Sequence, residues 1–228
     1  MYKNKKISLI IPCHNEERGL SKILIEVPKF IDEVIVVDND STDKTAVVAK
    51  NFGAKVVFEK KKGYGNAYLA GFKHSAGDII VTMDGDNSYP VGEIVGLLNI
   101  LVNKNLDFIS GCRFPLQRER SMNYINKLGN FVLTLFFKIL VFENVKDSQS
   151  GMWVFKREVL LKMNLKSNGM SFSEEIKMEA ILNKKINFRE VNISYKERIG
   201  QVKLKMWQDG FLNLIFLFKK RLEIFLKI

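Results

Sequence analysis

Runs of consecutive apolar residues alternate with amphipathic segments throughout the first half of the chain. KISLIIPC and EVIVVD are short and rich in β-branched residues without strict alternation, a pattern typical of strands buried on both faces. NEERGLSKILIEVPKF instead places Leu20, Ile23, Leu24 and Val27 at helical spacing. The alternation continues with TAVVAKNFG, AKVVFE, GNAYLAGFKHS and DIIVTMD. Four such repeats predict a Rossmann-like α/β domain with a mostly parallel sheet and helices on both faces.

The second half of the chain is less regular. Residues Val91–Val102 predict a helix, and LDFISGCR predicts a fifth strand. Asn126–Phe142 is apolar on nearly every side, which fits either a buried helix or a helix lying against a membrane. The segment FLNLIFLF near the C-terminus combines apolar residues with adjacent basic ones in a similar way. We therefore predict one domain over residues 1–205, with a C-terminal amphipathic basic helix over 206–228 belonging to the same unit.

The composition is that of a folded, basic protein. The 228 residues are 46% apolar and 27% charged, with a net charge of +11. Cys13 and Cys112 lack metal-ligand spacing, so we expect packing roles and a reducing compartment. The N-terminal apolar run is too short for a signal peptide, and no stretch reaches the roughly 20 apolar residues needed to span a bilayer. We expect a cytoplasmic protein, either soluble or peripheral on the cytosolic face of a membrane.

The positive charge is concentrated near the C-terminus. From Lys196 to Ile228 there are eight lysines and arginines against three acidic residues. A basic segment with interleaved aromatic residues fits an anionic membrane surface or a nucleic acid. The chain lacks zinc-ligand spacing and an RNP-type aromatic strand, which makes a nucleic-acid-binding domain the less favoured interpretation.

The candidate chemistry begins with VTMDGDNSYP, which follows a predicted strand. Asp84 and Asp86 are two residues apart, so in extended backbone both carboxylates point the same way. Oxygen ligands of this kind suit Mg²⁺ or Mn²⁺, and Gly85 leaves room for a ligand to approach. An EF-hand is excluded, because its sixth and twelfth positions would be Tyr89 and Val95. Taken by itself, the pair also fits an ordinary acidic turn.

Further polar segments follow the other predicted strands. IIPCHNEE and VVDNDSTDKT close the first and second strands, so their polar groups belong to the same edge of the sheet as Asp84. KKKGYGNAYLAG places lysines and glycines before a helix, as at a phosphate-binding helix start, although it matches neither a P-loop nor the GxGxxG pattern. Together these segments indicate a ligand-binding edge.

These motifs, followed by SGCR and DSQSGMWVFKREVL, strongly resemble those of family-two glycosyltransferases. The branch that synthesises dolichyl- and polyprenyl-phosphate sugars is the most similar, and the resemblance covers roughly residues 6–205 in the family's order. It implies a nucleotide-diphospho-sugar transferase domain with C-terminal membrane-associated amphipathic helices. It also implies a nucleotide-sugar donor, a polyprenyl or dolichyl phosphate acceptor, and a homo-oligomer or separate membrane subunit as possible partners.

The resemblance assigns roles to individual positions. The expected metal ligands are Asp84 and Asp86, with Ser88 standing where some relatives have a glutamine. Arg113, Arg198 and Lys203 are expected near the phosphates. The expected nucleotide contacts are Pro12, His14, Glu16, Val37, Asp38 and Asn39, with Gly85 also at the donor site. Asp147, Gln149 and Ser150 are expected near the transferred sugar, and Glu175 is expected to face the acceptor. Of these residues, the resemblance implies catalytic roles for Asp86, Arg113, Asp147 and Glu175.

Two positions depart from the family pattern. His14 replaces a common tyrosine and Asn39 replaces a common aspartate. The choice between GDP- and UDP-linked donors therefore stays open.

The expected reaction is metal-dependent, inverting sugar transfer. A phosphate acceptor is already anionic near neutral pH and needs no strong base. The main alternative is transfer to a hydroxyl of a glycan or glycolipid, for which Asp147 or Glu175 would have to accept a proton.

Overall fold

The computed structural model describes residues 1–117, 121–201 and 206–226, with the backbone alone for 206–208. Its centre is a seven-stranded sheet of order β3-β2-β1-β4-β6-β5-β7. The strands are β1 (Ile7–Cys13), β2 (Glu33–Asp38), β3 (Lys55–Phe58), β4 (Ile79–Thr82), β5 (Phe108–Cys112), β6 (Trp153–Lys156) and β7 (Phe188–Asn192).

The first five strands are those predicted from the sequence. β1 pairs in parallel with β2 and β4, and β2 with β3. β6, which the sequence pattern did not predict, lies antiparallel between β4 and β5. β7, also not predicted, pairs in parallel with β5. The mostly parallel sheet is thus confirmed, with one reversed strand.

Seven α-helices surround the sheet within the described ranges. They are α1 (Glu17–Glu26), α2 (Thr45–Asn51), α3 (Tyr64–His74), α4 (Glu93–Asn103), α5 (Tyr124–Val141), α6 (Phe172–Leu182) and α7 (Met206–Leu226). Residues of α1, α2 and α4 form one core cluster with one face of the sheet, and residues of α3 and α6 form another with the opposite face. The prediction of helices on both faces is confirmed.

The last layer consists of α5 and α7. A third core cluster joins Phe137 and Val141 of α5 to Met178 of α6 and Leu217 of α7. The boundary predicted at residue 205 falls within 202–205, outside the described residues, and stays a prediction.

Candidate active site

Loops connected to all seven strands meet at the carboxyl edge of the sheet. β1 to β5 and β7 run in the same direction and end at this edge, while the reversed β6 begins there. The loops that meet at this edge follow β1, β2, β3, β4, β5 and β7, together with the loop that precedes β6. Ligands of open α/β sheets bind at such an edge.

Asp84 and Asp86 lie just beyond β4 and line a cleft of about 360 Å³. Burial raises the pKa of Asp84, and the negative charge of Asp86 raises it further, to about 7, against the opposing hydrogen bond from Tyr64. Asp86 is held by Ser88, whose backbone N and Oγ donate to Asp86 Oδ1 at 3.0 and 2.6 Å. Two close, desolvated carboxylates form an electrostatically costly arrangement unless a cation is shared between them.

The structure gives Ser88 and Gly85 roles other than those expected. Ser88 is fully buried and its hydroxyl is used by Asp86, so in this structure it orients a carboxylate. A β-carbon at Gly85 would lie 2.5 Å from Cys13 Sγ, so the space beside Gly85 is filled by β1 rather than left for a ligand. Metal ligation by Ser88 and donor contact by Gly85 stay predictions.

Two tyrosines of α3 contact Asp84. Tyr64 Oη donates to Asp84 Oδ1 at 2.8 Å, and Tyr68 Oη lies 3.4 Å from the same oxygen. Sequence reasoning assigned KGYGNAYLAG to phosphate binding and missed this contact. Two tyrosines four residues apart at a helix start share one helix face, which was the available signal.

Arg113, at the end of β5, forms a buried ion pair with Asp147. Its Nε and Nη2 donate to the two carboxylate oxygens at 2.7 and 2.8 Å. Asn130 of α5 also donates to Asp147 Oδ1 at 3.1 Å, and Lys177 Nζ of α6 donates to the Asp147 backbone carbonyl at 2.8 Å. Burial alone would raise the pKa of Asp147, but the Arg113 guanidinium holds it well below its usual range. The structure therefore brings together two residues predicted at the site, and adds Asn130 and Lys177.

Arg198 approaches the aspartate pair from the segment after β7. Its Nη2 lies 3.0 Å from Glu16 Oε1, and its Nη1 lies 3.6 Å from Asp86 Oδ2. The backbone N–H of Ile199 also donates to the Asp86 carbonyl at 2.8 Å, which fastens this segment to the loop after β4. Lys203, its predicted basic partner, lies outside the described residues.

The predicted nucleotide contacts fall into two groups. His14 and Glu16 follow β1, and Asp38 is the last residue of β2. All three therefore lie at the carboxyl edge, as expected. Pro12 lies within β1 and is buried. The Val37 side chain belongs to the core cluster beneath α3, so its expected nucleotide contact, which stays a prediction, would be made through the backbone.

Asn39 is occupied within the protein. Its Nδ2 donates to the carbonyls of Glu59 and Lys61 at 2.8 Å each, and its Oδ1 accepts from Gly63 N at 2.8 Å. His14 Nδ1 lies 2.8 Å from the Asn39 carbonyl. The amide that stands where the family has an aspartate therefore shapes the loop between β3 and α3, and the expected nucleotide contact of Asn39 stays a prediction.

Of the residues expected near the sugar and acceptor, some line the cleft and others are buried away from it. Gln149 lines the cleft and donates to Glu174 Oε1 at 2.5 Å. Ser150 is fully buried, and its backbone carbonyl accepts a hydrogen bond from Trp153 Nε1. Glu175 does not line the cleft: it is buried and ion-paired with Lys220 of α7 at 3.1 Å. The neighbouring Glu174, which the sequence reasoning passed over, is also fully buried, and it is connected to the cleft through its hydrogen bond with Gln149.

The cleft is walled by α5 and α7. Beyond the carboxylates and arginines, it is lined by Asn123, Asn126 and Asn130 of α5 and by Asp209 and Asn213 of α7. Two larger cavities lie elsewhere, one at the amino edge of the sheet and one along β7, and neither contains the aspartate pair.

Comparisons with known proteins agree with this geometry. The family described as Glycosyl transferase family 2 matches residues 8–163. The low-salt glycan biosynthesis hexosyltransferase Agl6 of Haloferax volcanii is 35% identical over 219 residues, which cover 92% of this chain and 52% of that protein. The chain thus spans about half the length of this relative. The dolichyl-phosphate hexose transferase of the same organism is 29% identical over 92% of this chain and 91% of that protein.

A solved structure shares the fold. Glucosyl-3-phosphoglycerate synthase from Mycobacterium tuberculosis, in complex with Mn²⁺, uridine diphosphate and phosphoglyceric acid, matches with a TM-score of 0.75. It is 21% identical, and the match covers 96% of this chain and 78% of that one. The architecture predicted from the sequence is therefore found in a solved protein.

Proposed function

Because the chain belongs to glycosyltransferase family 2, we propose that it transfers a hexose from a nucleoside-diphosphate sugar to a polyprenyl or dolichyl phosphate. The observation that carries this proposal is a single cleft containing Asp84, Asp86, Arg113 and Arg198, walled by two helices with exposed apolar faces. A charged donor site and an apolar surface are thus adjacent, as a lipid acceptor requires.

A divalent cation fits the aspartate pair. No hydrogen bond reaches Asp84 Oδ2 from the described residues, and burial, followed by the negative charge of Asp86, raises the pKa of Asp84. No group of three or more metal-ligating side chains occurs in the described ranges, so the remaining ligands would come from the diphosphate and water, as is usual for Mg²⁺. When bound, Mg²⁺ or Mn²⁺ would neutralise charge on the departing diphosphate. The Mn²⁺ complex of the mycobacterial neighbour supports this choice.

The arginines supply fixed positive charge. Arg198 is half-buried and lies beside Asp86, where it can shift its pairing toward a bound diphosphate. Arg113 uses Nε and Nη2 to hold Asp147, so its charge is balanced and its orientation fixed. A single displacement by the acceptor oxygen would invert the configuration of the sugar.

The engaged carboxylates favour a phosphate acceptor over a hydroxyl. Asp147 is ion-paired with Arg113, which keeps its pKa too low for a useful base. Glu175, the other predicted base, is buried against Lys220. A phosphate oxygen needs neither residue. For a hydroxyl acceptor, the second candidate, the cleft still offers Glu197 and Asp209.

An anionic membrane surface is the proposed location of the reaction. The helices α5 and α7 pack side by side, with the rings of Phe136 and Phe218 6.0 Å apart. Exposed Lys219 and half-buried Arg221 adjoin their outer faces. The exposed apolar residues are Tyr124, Ile125, Leu128, Phe131, Val132, Leu135, Ile139 and Phe142, with Phe211, Leu212, Ile215, Phe218, Leu222, Phe225 and Leu226 on α7.

One of these helices, α5, is long and apolar enough to cross a bilayer by length and composition. This differs from the sequence-based expectation that no such segment exists. Thr134 of α5 hydrogen-bonds Ser148 at 3.1 Å, and Asn130 hydrogen-bonds Asp147. Since one side of α5 is bound to the catalytic domain, we propose that it lies along the cytosolic membrane surface rather than across the bilayer.

The test is a transfer assay read by product mass. UDP- and GDP-hexoses are offered with Mn²⁺ and a short polyprenyl phosphate, with the matching polyprenol and a glycolipid as alternative acceptors. We expect product only on the phosphate, and loss of product in EDTA. Product on a hydroxyl, abolished by Glu197→Gln, would favour the second candidate.

Variants in the same assay test the charged groups. Asp84→Asn, Asp86→Asn and Arg198→Ala should each reduce transfer by about 10²-fold or more, as expected for a removed electrostatic contact. Arg157→Ala is the matched control, since Arg157 is exposed at the amino edge of the sheet. Full activity in EDTA, or an Arg198→Ala variant as active as Arg157→Ala, contradicts these roles.

A further inference from the structure

The start of α3 delivers a tyrosine hydroxyl to the aspartate pair. Tyr64 is the first residue of α3, and its Oη donates to Asp84 Oδ1 at 2.8 Å. Tyr68, one helical turn later and fully buried, lies 3.4 Å from the same oxygen and 3.3 Å from the Gly151 carbonyl. Both phenols approach one carboxylate oxygen, and Oδ2 receives no hydrogen bond from the described part of the chain. The short Tyr64 contact therefore fixes the rotation of the Asp84 carboxylate.

The position of Tyr64 is itself fixed by backbone packing. Its flanking residues are glycines, and a β-carbon at Gly63 or Gly65 would lie 2.1 Å from the carbonyl of Asn168 or Ser167 respectively. Gly63 also has φ 140°, a conformation that favours glycine. Because only residues without a β-carbon permit this approach, the GYG sequence holds the helix start against the loop before α6.

A third glycine leaves space for the hydroxyl. A β-carbon at Gly151 would lie 2.1 Å from Tyr64 Oη and 3.1 Å from Asp84 Oδ1. The Tyr64 ring cannot retreat freely, because it packs edge-on against Tyr68 with centroids 4.8 Å apart. The glycine of the DSQSG motif is thus required where the phenol meets the carboxylate.

We propose that Tyr64 is a positioning residue that orients Asp84 so that Oδ2 faces the divalent cation. This inference rests on the cation site proposed above, and it reassigns GYGNAY from phosphate binding to support of a metal ligand. Groups that orient metal ligands in this way typically contribute 10- to 100-fold to metal affinity.

The experiment measures Mn²⁺ binding to the full chain without nucleotide, by the electron paramagnetic resonance signal of free Mn²⁺. Tyr64→Phe keeps the ring and removes the hydroxyl, so we expect Mn²⁺ affinity to fall about tenfold or more. The Mn²⁺ concentration for half-maximal transfer should rise by a similar factor, while kcat at saturating Mn²⁺ recovers. Gly151→Ala, which crowds the hydroxyl, should change both quantities in the same direction.

Two reference variants separate the outcomes. Tyr2→Phe is the matched control, because its hydroxyl also bonds a side chain, that of Asn99, outside the cleft. Asp84→Asn should lose Mn²⁺ binding. If Asp84→Asn binds Mn²⁺ like the wild type, the proposed cation site is wrong. If Asp84→Asn loses binding while Tyr64→Phe, folded by circular dichroism, binds like Tyr2→Phe, the positioning role alone is overturned.

Discussion

Two adjacent glutamates at the start of α6 are both buried but differ in their hydrogen-bond and ion-pair partners. Glu175 Oε1 lies 3.1 Å from Lys220 Nζ, and its carboxylate also accepts from the backbone N–H groups of Lys166 and Ser167. Glu174 is fully buried, and its Oε2 has no hydrogen-bond partner in the described structure. Burial raises the pKa of Glu174 well above its usual value, against the opposing effects of Gln149 and Lys177. The folded protein therefore disfavours ionisation of this carboxyl group, which accepts a hydrogen bond from Gln149 of the cleft.

Glu174→Gln should change how stability depends on pH. The unfolded chain releases this proton near the ordinary glutamate pKa, whereas the folded state, whose Glu174 pKa is raised, releases it only at higher pH, so wild-type stability falls as pH rises above about 4.5. Glutamine has no proton to release. We expect similar free energies of unfolding near pH 4 and a more stable variant at pH 8, measured by urea denaturation. Glu158→Gln, at an exposed position, controls for removal of one acidic group. A variant that is less stable than wild type at pH 8 would contradict the assignment.

The helix α7 is joined to the domain by a buried charge cluster. Lys220 is 1% exposed, and its Nζ contacts Glu175 and Glu179 of α6 at 3.1 and 2.7 Å. The same amine donates to the Asn164 carbonyl at 2.6 Å. Because Glu174 of α6 also accepts a hydrogen bond from Gln149, which lines the cleft, this cluster links the outer helix layer to the proposed site.

We expect Lys220→Met to weaken the packing of α7 against α6. Removing the amine leaves two glutamates without their shared cation, and breaking a buried pair typically costs on the order of 3 kcal/mol. We expect a lower free energy of unfolding and faster hydrogen exchange along α7. Lys219→Met, one residue earlier and exposed, is the matched control. Equal stability of the two variants would show that the cluster does not hold the helix.

Across the whole molecule, the apolar surface is concentrated on one side. Exposed aromatic residues occur along α5 and α7, including Phe131 on α5, Phe142 directly after it, and Phe211 and Phe225 on α7. The inner sides of the same helices wall the cleft. This arrangement would place the site beside the headgroup region if these faces enter a membrane.

Flotation with vesicles containing anionic lipid tests the proposed surface. Replacing Phe131 and Phe225 with serine should release the protein from vesicles, because each exposed ring would lose apolar contact with the lipid. Leu161→Ser is the control, since Leu161 is 90% exposed at the amino edge of the sheet. Binding should also weaken at high salt if Lys219 and Arg221 meet anionic headgroups. Unchanged flotation of the double variant would exclude this face as the anchor.

Much of the fold could be predicted from local pattern. The predicted strands correspond to β1 to β5; β1, β4 and β5 are buried throughout, and burial on both faces requires the continuous apolar runs seen there. β6 runs antiparallel to its neighbours β4 and β5, and β7 is a half-exposed edge strand of sequence FREVN. Their identity as strands depends on the neighbours they pair with, which local periodicity does not contain.

The sequence by itself determined the repeating strands and helices, the aspartate pair after β4 and the family. Only the tertiary structure decided which side chains meet: Tyr64 with Asp84, Arg113 with Asp147, and Arg198 with Glu16, the last 182 positions apart. It also decided the partners of Asn39, which bonds the loop before α3, and of Glu175, which pairs with Lys220. The physical reason is that a residue's type and spacing fix its local conformation, whereas its hydrogen-bond partners depend on the order of strands in the sheet and on the helices packed over its edge.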